Sequence, residues 1–307
     1  MISSRARPAF TLIELLIVIA IIALLISILV PALAAAREEG RRAVCVSNMR
    51  SIGVAVNQYL GNDSQDNLPC TYVYAIQPGT PLRYSYWPGD DEFPATGRFV
   101  TSYTWGGTIS SHPFPADAAG HDDHTVTPAE VRPLNRYLEP GAVGRAPVKV
   151  TQCPGDRSAV SPFIGRGIDD PMHLESDRTS YEAYGNSYSI NFYFMDEPDI
   201  PTAYVEDIFE HGKHAVRINR NGAMASEWVI MWENQCDQLW VGSTIQGNTG
   251  RIGKGWHGRW SYHTFLFLDG HAEHKYFDTR NVKGPGWRVY RKWQLFDEPP
   301  FLDPPWG

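Results

Sequence analysis

The chain has 307 residues, enough for one large domain or two modest ones to bury a core without metal or disulfides. Hydrophobic residues make up 43% and charged residues 20%, a globular composition in which any membrane segment is a small part. With 27 Lys and Arg against 34 Asp and Glu, the net charge of -7 argues against a broad phosphate-binding face, so nucleic acid is not an expected partner.

The first nine residues, MISSRARPA, carry Arg5 and Arg7 and no acid. An apolar run follows, broken over 15–33 only by Ser27 and Pro31. At ~1.5 Å per residue it is about long enough to cross a hydrocarbon core. Three readings compete for it: a retained anchor, a cleaved signal peptide and a buried core helix. A core helix flanked by arginines would rarely be apolar around its whole circumference. The basic start, the apolar stretch and the small residues of PALAAAR do fit a signal peptide. Glu14 separates the remaining two readings, because an acid there weakens an ordinary signal and costs up to about 2.5–3.5 kcal/mol at the bilayer centre. Arg37, Arg41, Arg42 and Arg50 lie beyond the other end, so charge bias does not settle orientation.

Past Pro31 the helical pattern continues without a linker. Cys45, Met49, Ile52, Val56 and Tyr59 recur at alternating steps of four and three, which puts them on one face. Asn62-Asp63-Ser64, Asn67 and Pro69 read as the stop. The expectation is one helix over roughly 10–61, lipid-soluble in its first half and packed on a soluble domain in its second. The rest is rich in Tyr, Trp, Phe, Gly and Pro, and reads as mainly sheet. Expected strands are 71–76, 99–105, 148–153, 187–194, 228–232, 262–268 and 271–277. Asp269-Gly270 reads as a two-residue turn joining the last two. The segments 113–147 and 154–177 read as long loops.

Several side chains invite a chemical reading. His257, His263, Asp269, His271 and His274 crowd one hairpin, and Glu233 ends a neighbouring strand; imidazole with carboxylate suits several divalent ions. Against this, His271 and His274 should point to opposite faces of a strand, and Asp269 is a residue type that tight turns favour. The Gly120-His121-Asp122-Asp123-His124 cluster reads first as a solvated turn. No cofactor is therefore expected, with Ca2+ or another divalent ion as the alternative. Cys45, Cys70, Cys153 and Cys236 permit three pairings; a bond from Cys45 on the helix to Cys153 on the sheet is geometrically reasonable, and buried thiols are the alternative. G-x-S-x-G, HExxH, P-loop and strand-to-helix G-x-G-x-x-G motifs are missing, so no enzyme is expected.

The run Ala9-Phe10-Thr11-Leu12-Ile13-Glu14-Leu15-Leu16, followed by Ile17 to Ala23, resembles the processing and methylation site of type IV prepilins and type II secretion pseudopilins. The resemblance implies that a prepilin peptidase in the membrane cuts between Ala9 and Phe10 and methylates the new amine of Phe10. It also implies that Glu14 serves assembly with other pilin-like subunits. Where that family most often has Gly before the cut, this chain has Ala9. A second resemblance rests on Arg41 to Gly53, Cys153-Pro154-Gly155-Asp156, Ser187-Tyr188-Ser189-Ile190-Asn191 and Asp269-Gly270-His271. These are similar to large prepilin-type proteins whose C-terminal domain is named for His, nine residues, then Asp-Gly. Here eleven residues separate His257 from Asp269, and Arg259 occupies the named position.

The expected fold is α+β, a long N-terminal helix packed on an antiparallel sheet. The expected organisation is a leader over 1–9, an apolar helix over 10–33, its amphipathic continuation over 34–62, and a β-rich extracytoplasmic domain over 63–307 that carries the hairpin 260–277. Function reads as a subunit of a type IV pilus-like or secretion pseudopilus fibre, single-pass in a bacterial inner membrane. Two alternatives stand beside it: an anchored binding module or enzyme, and a secreted protein released near Ala34 or Ala36.

Overall fold

The computed structural model describes residues 12–62, 69, 72–74, 83–85, 98–100, 104–109, 127–157, 159–160, 174–175, 179–191, 225–236, 254–278 and 283–289. Helix α1, Leu12–Asn62, is continuous over 51 residues, a length of ~77 Å at 1.5 Å per residue. Leu and Ala favour the helix, and the β-branched Ile and Val cost only a few tenths of a kcal/mol each there, on the order of the ordinary propensity range. Pro31 removes one backbone donor without ending the helix, and the Ser27 hydroxyl donates back to the Leu24 carbonyl at 2.7 Å.

The two halves of α1 have different surroundings. None of residues 12–44 is buried, whereas Cys45, Met49, Ile52, Gly53, Ala55, Val56, Tyr59 and Leu60 are. All five residues of the expected apolar stripe are among them. They pack on a four-stranded antiparallel sheet of order β6-β7-β8-β9, formed by Tyr188–Ile190, Val229–Glu233, Tyr262–Phe267 and Ala272–Tyr276. Tyr188, Ile190, Met231, Leu266, Leu268 and Ala272 join the helix stripe in one cluster. The opposite cluster holds Val229, Trp232, Phe265, Phe267, Phe277, Trp287 and Val289, with Trp287 supplied by a small C-terminal ribbon. Strands of a sheet covered on both faces are apolar on both faces, as Val229 to Trp232 are. The architecture is α+β, as expected.

Smaller elements complete the description: β1 Tyr72–Tyr74 pairs with β2 Arg83–Ser85 and β3 Arg98–Val100, β4 Ala159–Val160 pairs with β5 Leu174–Glu175, and β10 Lys283–Gly284 pairs with β11 Trp287–Arg288. Two short helices, α2 Asn135–Leu138 and α3 Ser180–Tyr184, fall in the remainder. Helix α3 begins at a capping box of Thr179 and Glu182 and ends at Gly185 in the left-handed region, φ 80°. Trp105, Arg132 and Asn186 sew the irregular segments together through buried bonds to the carbonyls of Tyr188, Gly106 and Tyr184.

Gly53 and the hairpin turn explain how closely helix and sheet approach. A Cβ at Gly53 would lie 2.7 Å from the Gly270 carbonyl oxygen and 2.7 Å from Leu266 Cδ1, so a side chain there would force α1 off the sheet. The turn itself departs from the two-residue expectation. Gly270 N–H donates to the Phe267 carbonyl and Phe267 N–H to the His271 carbonyl, leaving three loop residues with Gly270 at φ 90°. This is a turn closed by a left-handed glycine.

Three further expectations change. Residues 148–153, read as a strand because of Val148, Val150 and Thr151, contain a 3-10 turn over Lys149–Thr151, in which the Thr151 hydroxyl donates to the Val148 carbonyl. Trp105 lies in a turn beyond β3 rather than in the strand expected over 99–105. Residues 127–147, placed within a long loop, hold a 3-10 turn and α2.

Candidate functional site

Ala9 and Phe10, the expected processing pair, lie outside the described residues, as do Cys70, His121 and His124. Glu14 is in the first turn of α1. It is exposed on a helix half whose other large side chains, such as Leu12, Leu15, Ile17 and Ile28, are also turned outward. That half of α1 is long and apolar enough to cross a membrane.

A second constellation forms where α1 first meets the sheet. Glu38, just past the apolar run, receives Arg157 at 2.9 Å, Arg41 at 3.3 Å and the His257 Nδ1 at 2.8 Å. His257 is buried and lies between two carboxylates, because its Nε2 is 3.4 Å from Glu233 Oε1. The Thr264 hydroxyl donates to the same Glu233 oxygen at 2.6 Å and meets His274 Nδ1 at 3.2 Å. His263 Nδ1 stands 3.7 Å from Glu233 Oε2. Glu233 Oε2, both His263 ring nitrogens and His274 Nε2 have no hydrogen-bond partner among the described residues.

The electrostatics follow from this crowding. Burial alone would raise the Glu233 carboxyl, but the His257 and then the His263 imidazole overcome it and hold Glu233 at about 2. Burial works against protonated His257, yet Glu233 and then Glu38 outweigh it and raise its pKa. His274 goes the other way. Burial pushes it down to about 4, against Glu233 and with help from the charges of His257, Arg42 and His263. The same crowding thus favours a proton on His257 and disfavours one on His274.

Two more features fix the constellation. Cys45 of α1 and Cys153 form a disulfide with Cα atoms 5.2 Å apart, and Cys153 Sγ lies 3.6 Å from His257 Nε2. The Cys153-Pro154-Gly155-Asp156 loop is held by Asp156, which accepts from Ser180 N and Tyr181 N at 2.9 Å and from Ser187 Oγ at 2.6 Å. Gly155 is needed there, because a Cβ would lie 2.5 Å from His257 Cε1.

Of the residues singled out from sequence, His257 and His263 come together around Glu233, whereas Asp269 and His271 do not join them. Asp269 Oδ1 accepts from His271 N at 3.0 Å and meets His271 Nδ1 at 2.6 Å, at the exposed hairpin turn, where the His271 ring stacks on Phe267. Cys236 is buried in the cluster on the far face of the sheet. Glu38 was not foreseen. Its one sequence signal is an acid placed seven residues before Cys45, on the same side of the helix after two turns.

The family model for the prokaryotic N-terminal methylation motif matches residues 4–30. This match, together with the one long apolar helix among the described residues, supports a type IV pilin-like chain with a transmembrane N-terminal segment. No curated protein and no solved structure matches the chain.

Proposed function

We propose that this protein is a pilin-like or pseudopilin-like assembly subunit, cut between Ala9 and Phe10 by a prepilin peptidase and built into a fibre through the first half of α1. The observation that carries the reading is the division of α1: one half presents apolar side chains outward on every face, and the other is locked onto a sheet. A helix apolar all round needs lipid or other helices as its surroundings. The methylation motif covering that half supports helices of other subunits as the second environment. The role is structural rather than enzymatic, the soluble part being extracytoplasmic and the chain resting in a bacterial inner membrane before assembly. The hairpin over Tyr262–Phe267 and Ala272–Tyr276 supports reading the C-terminal part as a His-x9-Asp-Gly-like domain.

In this reading the carboxylate of Glu14 meets the new amine of a neighbouring subunit, where both charges would otherwise be costly. Glu14→Ala is expected to leave the protein in the carbonate-washed membrane fraction but to lower its recovery in the fibre fraction at least roughly tenfold, the equivalent of about 1.4 kcal/mol. Undiminished recovery in fibres would remove Glu14 from assembly.

A further inference from the structure

We propose that the chain, when Cys45 and Cys153 are reduced, holds one zinc-class divalent ion on Cys45, Cys153, His257 and Glu233, so that disulfide and metal are exclusive states of one site. The two sulfurs and a ring nitrogen of His257 already lie within 4.8 Å of one another, all three residues buried. A tetrahedral zinc centre with ligand bonds of about 2.0–2.3 Å has edges of about 3.6 Å between sulfur and imidazole nitrogen and about 3.4 Å between nitrogen and carboxylate oxygen. The observed separations are 3.6 Å from Cys153 Sγ to His257 Nε2 and 3.4 Å from His257 Nε2 to Glu233 Oε1. Both edges meet at His257 Nε2, so the ring nitrogen already stands at ligand spacing from one sulfur and from the Glu233 carboxylate.

The surroundings match a metal centre as well. Ligating histidines nearly always donate their other ring N–H to a carboxylate, a backbone carbonyl or water, and His257 Nδ1 lies 2.8 Å from Glu38 Oε1. Gly155 N–H donates to Cys153 Sγ at 3.3 Å, which favours a thiolate there. Glu233 keeps a fully buried oxygen, Oε2, with no hydrogen-bond partner among the described residues. A buried carboxylate with one oxygen in that condition is costly, and a cation held by the same carboxylate would offset the cost. Two thiolates and an imidazole select zinc-like ions over calcium or magnesium.

The redox step balances simply. A trialkylphosphine and water convert the disulfide to two thiols and the phosphine oxide, and the ion then displaces the two thiol protons. In the reverse direction two electrons pass from the thiolates to a small-molecule disulfide, which takes up two protons and leaves as two thiols while the ion is released. A newly exported chain would carry the ion until oxidation closes the Cys45–Cys153 bond.

The test uses the full chain in detergent micelles, reduced with a phosphine, desalted without oxygen and titrated with Co2+. The expected result is one Co2+ per reduced chain with thiolate-to-cobalt charge-transfer absorption, displaced by Zn2+ and missing from the oxidised chain. Cys45→Ala should abolish the band. Glu38→Gln, which leaves all four ligands in place and removes the carboxylate behind His257 together with its pairs to Arg41 and Arg157, should keep the band but weaken binding about 10–100-fold. A reduced chain that is folded by circular dichroism yet gives no thiolate band would overturn the proposal. So would a band that survives Cys45→Ala, since Cys70 or Cys236 would then be the ligands. If reduction alone unfolds the chain, Zn2+ must restore the spectrum, and failure to do so counts equally against the site.

Discussion

Replacing Cys45 with serine is expected to lower the stability of the soluble part by about 2–5 kcal/mol, the usual cost of losing a native disulfide. The bond closes a loop across a sequence separation of 108 residues. For a loop of that order the chain-entropy account gives about 4.7 kcal/mol. Serine adds a second penalty, because Cys45 is fully buried beside the apolar stripe and a hydroxyl there needs a partner. The loss should appear as a lower urea midpoint for the oxidised full chain in micelles. Met49, Ile52, Val56 and Tyr59 remain to hold α1 on the sheet, so the variant should still fold at low denaturant. A change below about 1 kcal/mol would mean that the apolar contacts alone fix the helix.

His257→Ala is the second large effect, about 3–5 kcal/mol, because it leaves the buried Glu233 carboxylate without its nearest cation. It also changes the pH profile. The folded pKa of Glu233 is depressed to about 2 from 4.5, so its contribution is present above about 4.5 and is lost as pH falls towards 2. The folded pKa of His257 is raised above 6.5, so its contribution is complete below 6.5 and is lost as pH rises through the folded value. The Glu233–His257 pair therefore contributes most between those limits, whereas His274, held at about 4 in the fold, withdraws stability as pH falls below 6.5. Urea midpoints of the native chain should decline towards acid and also as pH rises through the folded value of His257. In His257→Ala the alkaline decline from this cluster should vanish, and the acid decline should begin at a higher pH. Identical profiles for the two proteins would show that His257 carries no charge in the folded state.

The elements that were legible in sequence are those written in local periodicity. The steps of four and three from Cys45 to Tyr59 name the buried face of α1, because neighbours on a helix face are fixed by backbone geometry alone. Alternation on both sides of Asp269-Gly270 gives the last hairpin for the same reason. Its loop length is not legible, because a left-handed Gly270 as the third loop residue uses the same Asp-Gly pair as a shorter turn. At 148–153 β-branched propensity misled, since propensity is weaker than the local hydroxyl-to-carbonyl bond of Thr151.

The buried cluster was only partly legible, because its members meet through tertiary packing. His257 and Glu38 are 219 residues apart, and nothing local to either announces the other. Glu233 was visible as an acid at the end of an apolar strand, which is an uncommon place for one. Nothing in the spacing of His257 and Cys153, 104 residues apart, announces that the two side chains meet. The pattern also grouped Asp269 and His271 with His257, although the sheet puts them at the opposite end of the hairpin.

The proposed function stands most directly on the mature N-terminus, which mass spectrometry of the intact protein and its N-terminal peptide, recovered from the envelope fraction, would establish. The expected mature chain begins at Phe10 with one added methyl group on its amine. A chain that begins near Ala35 or Arg37 would contradict the proposed function, because the apolar half of α1 would then be a discarded signal.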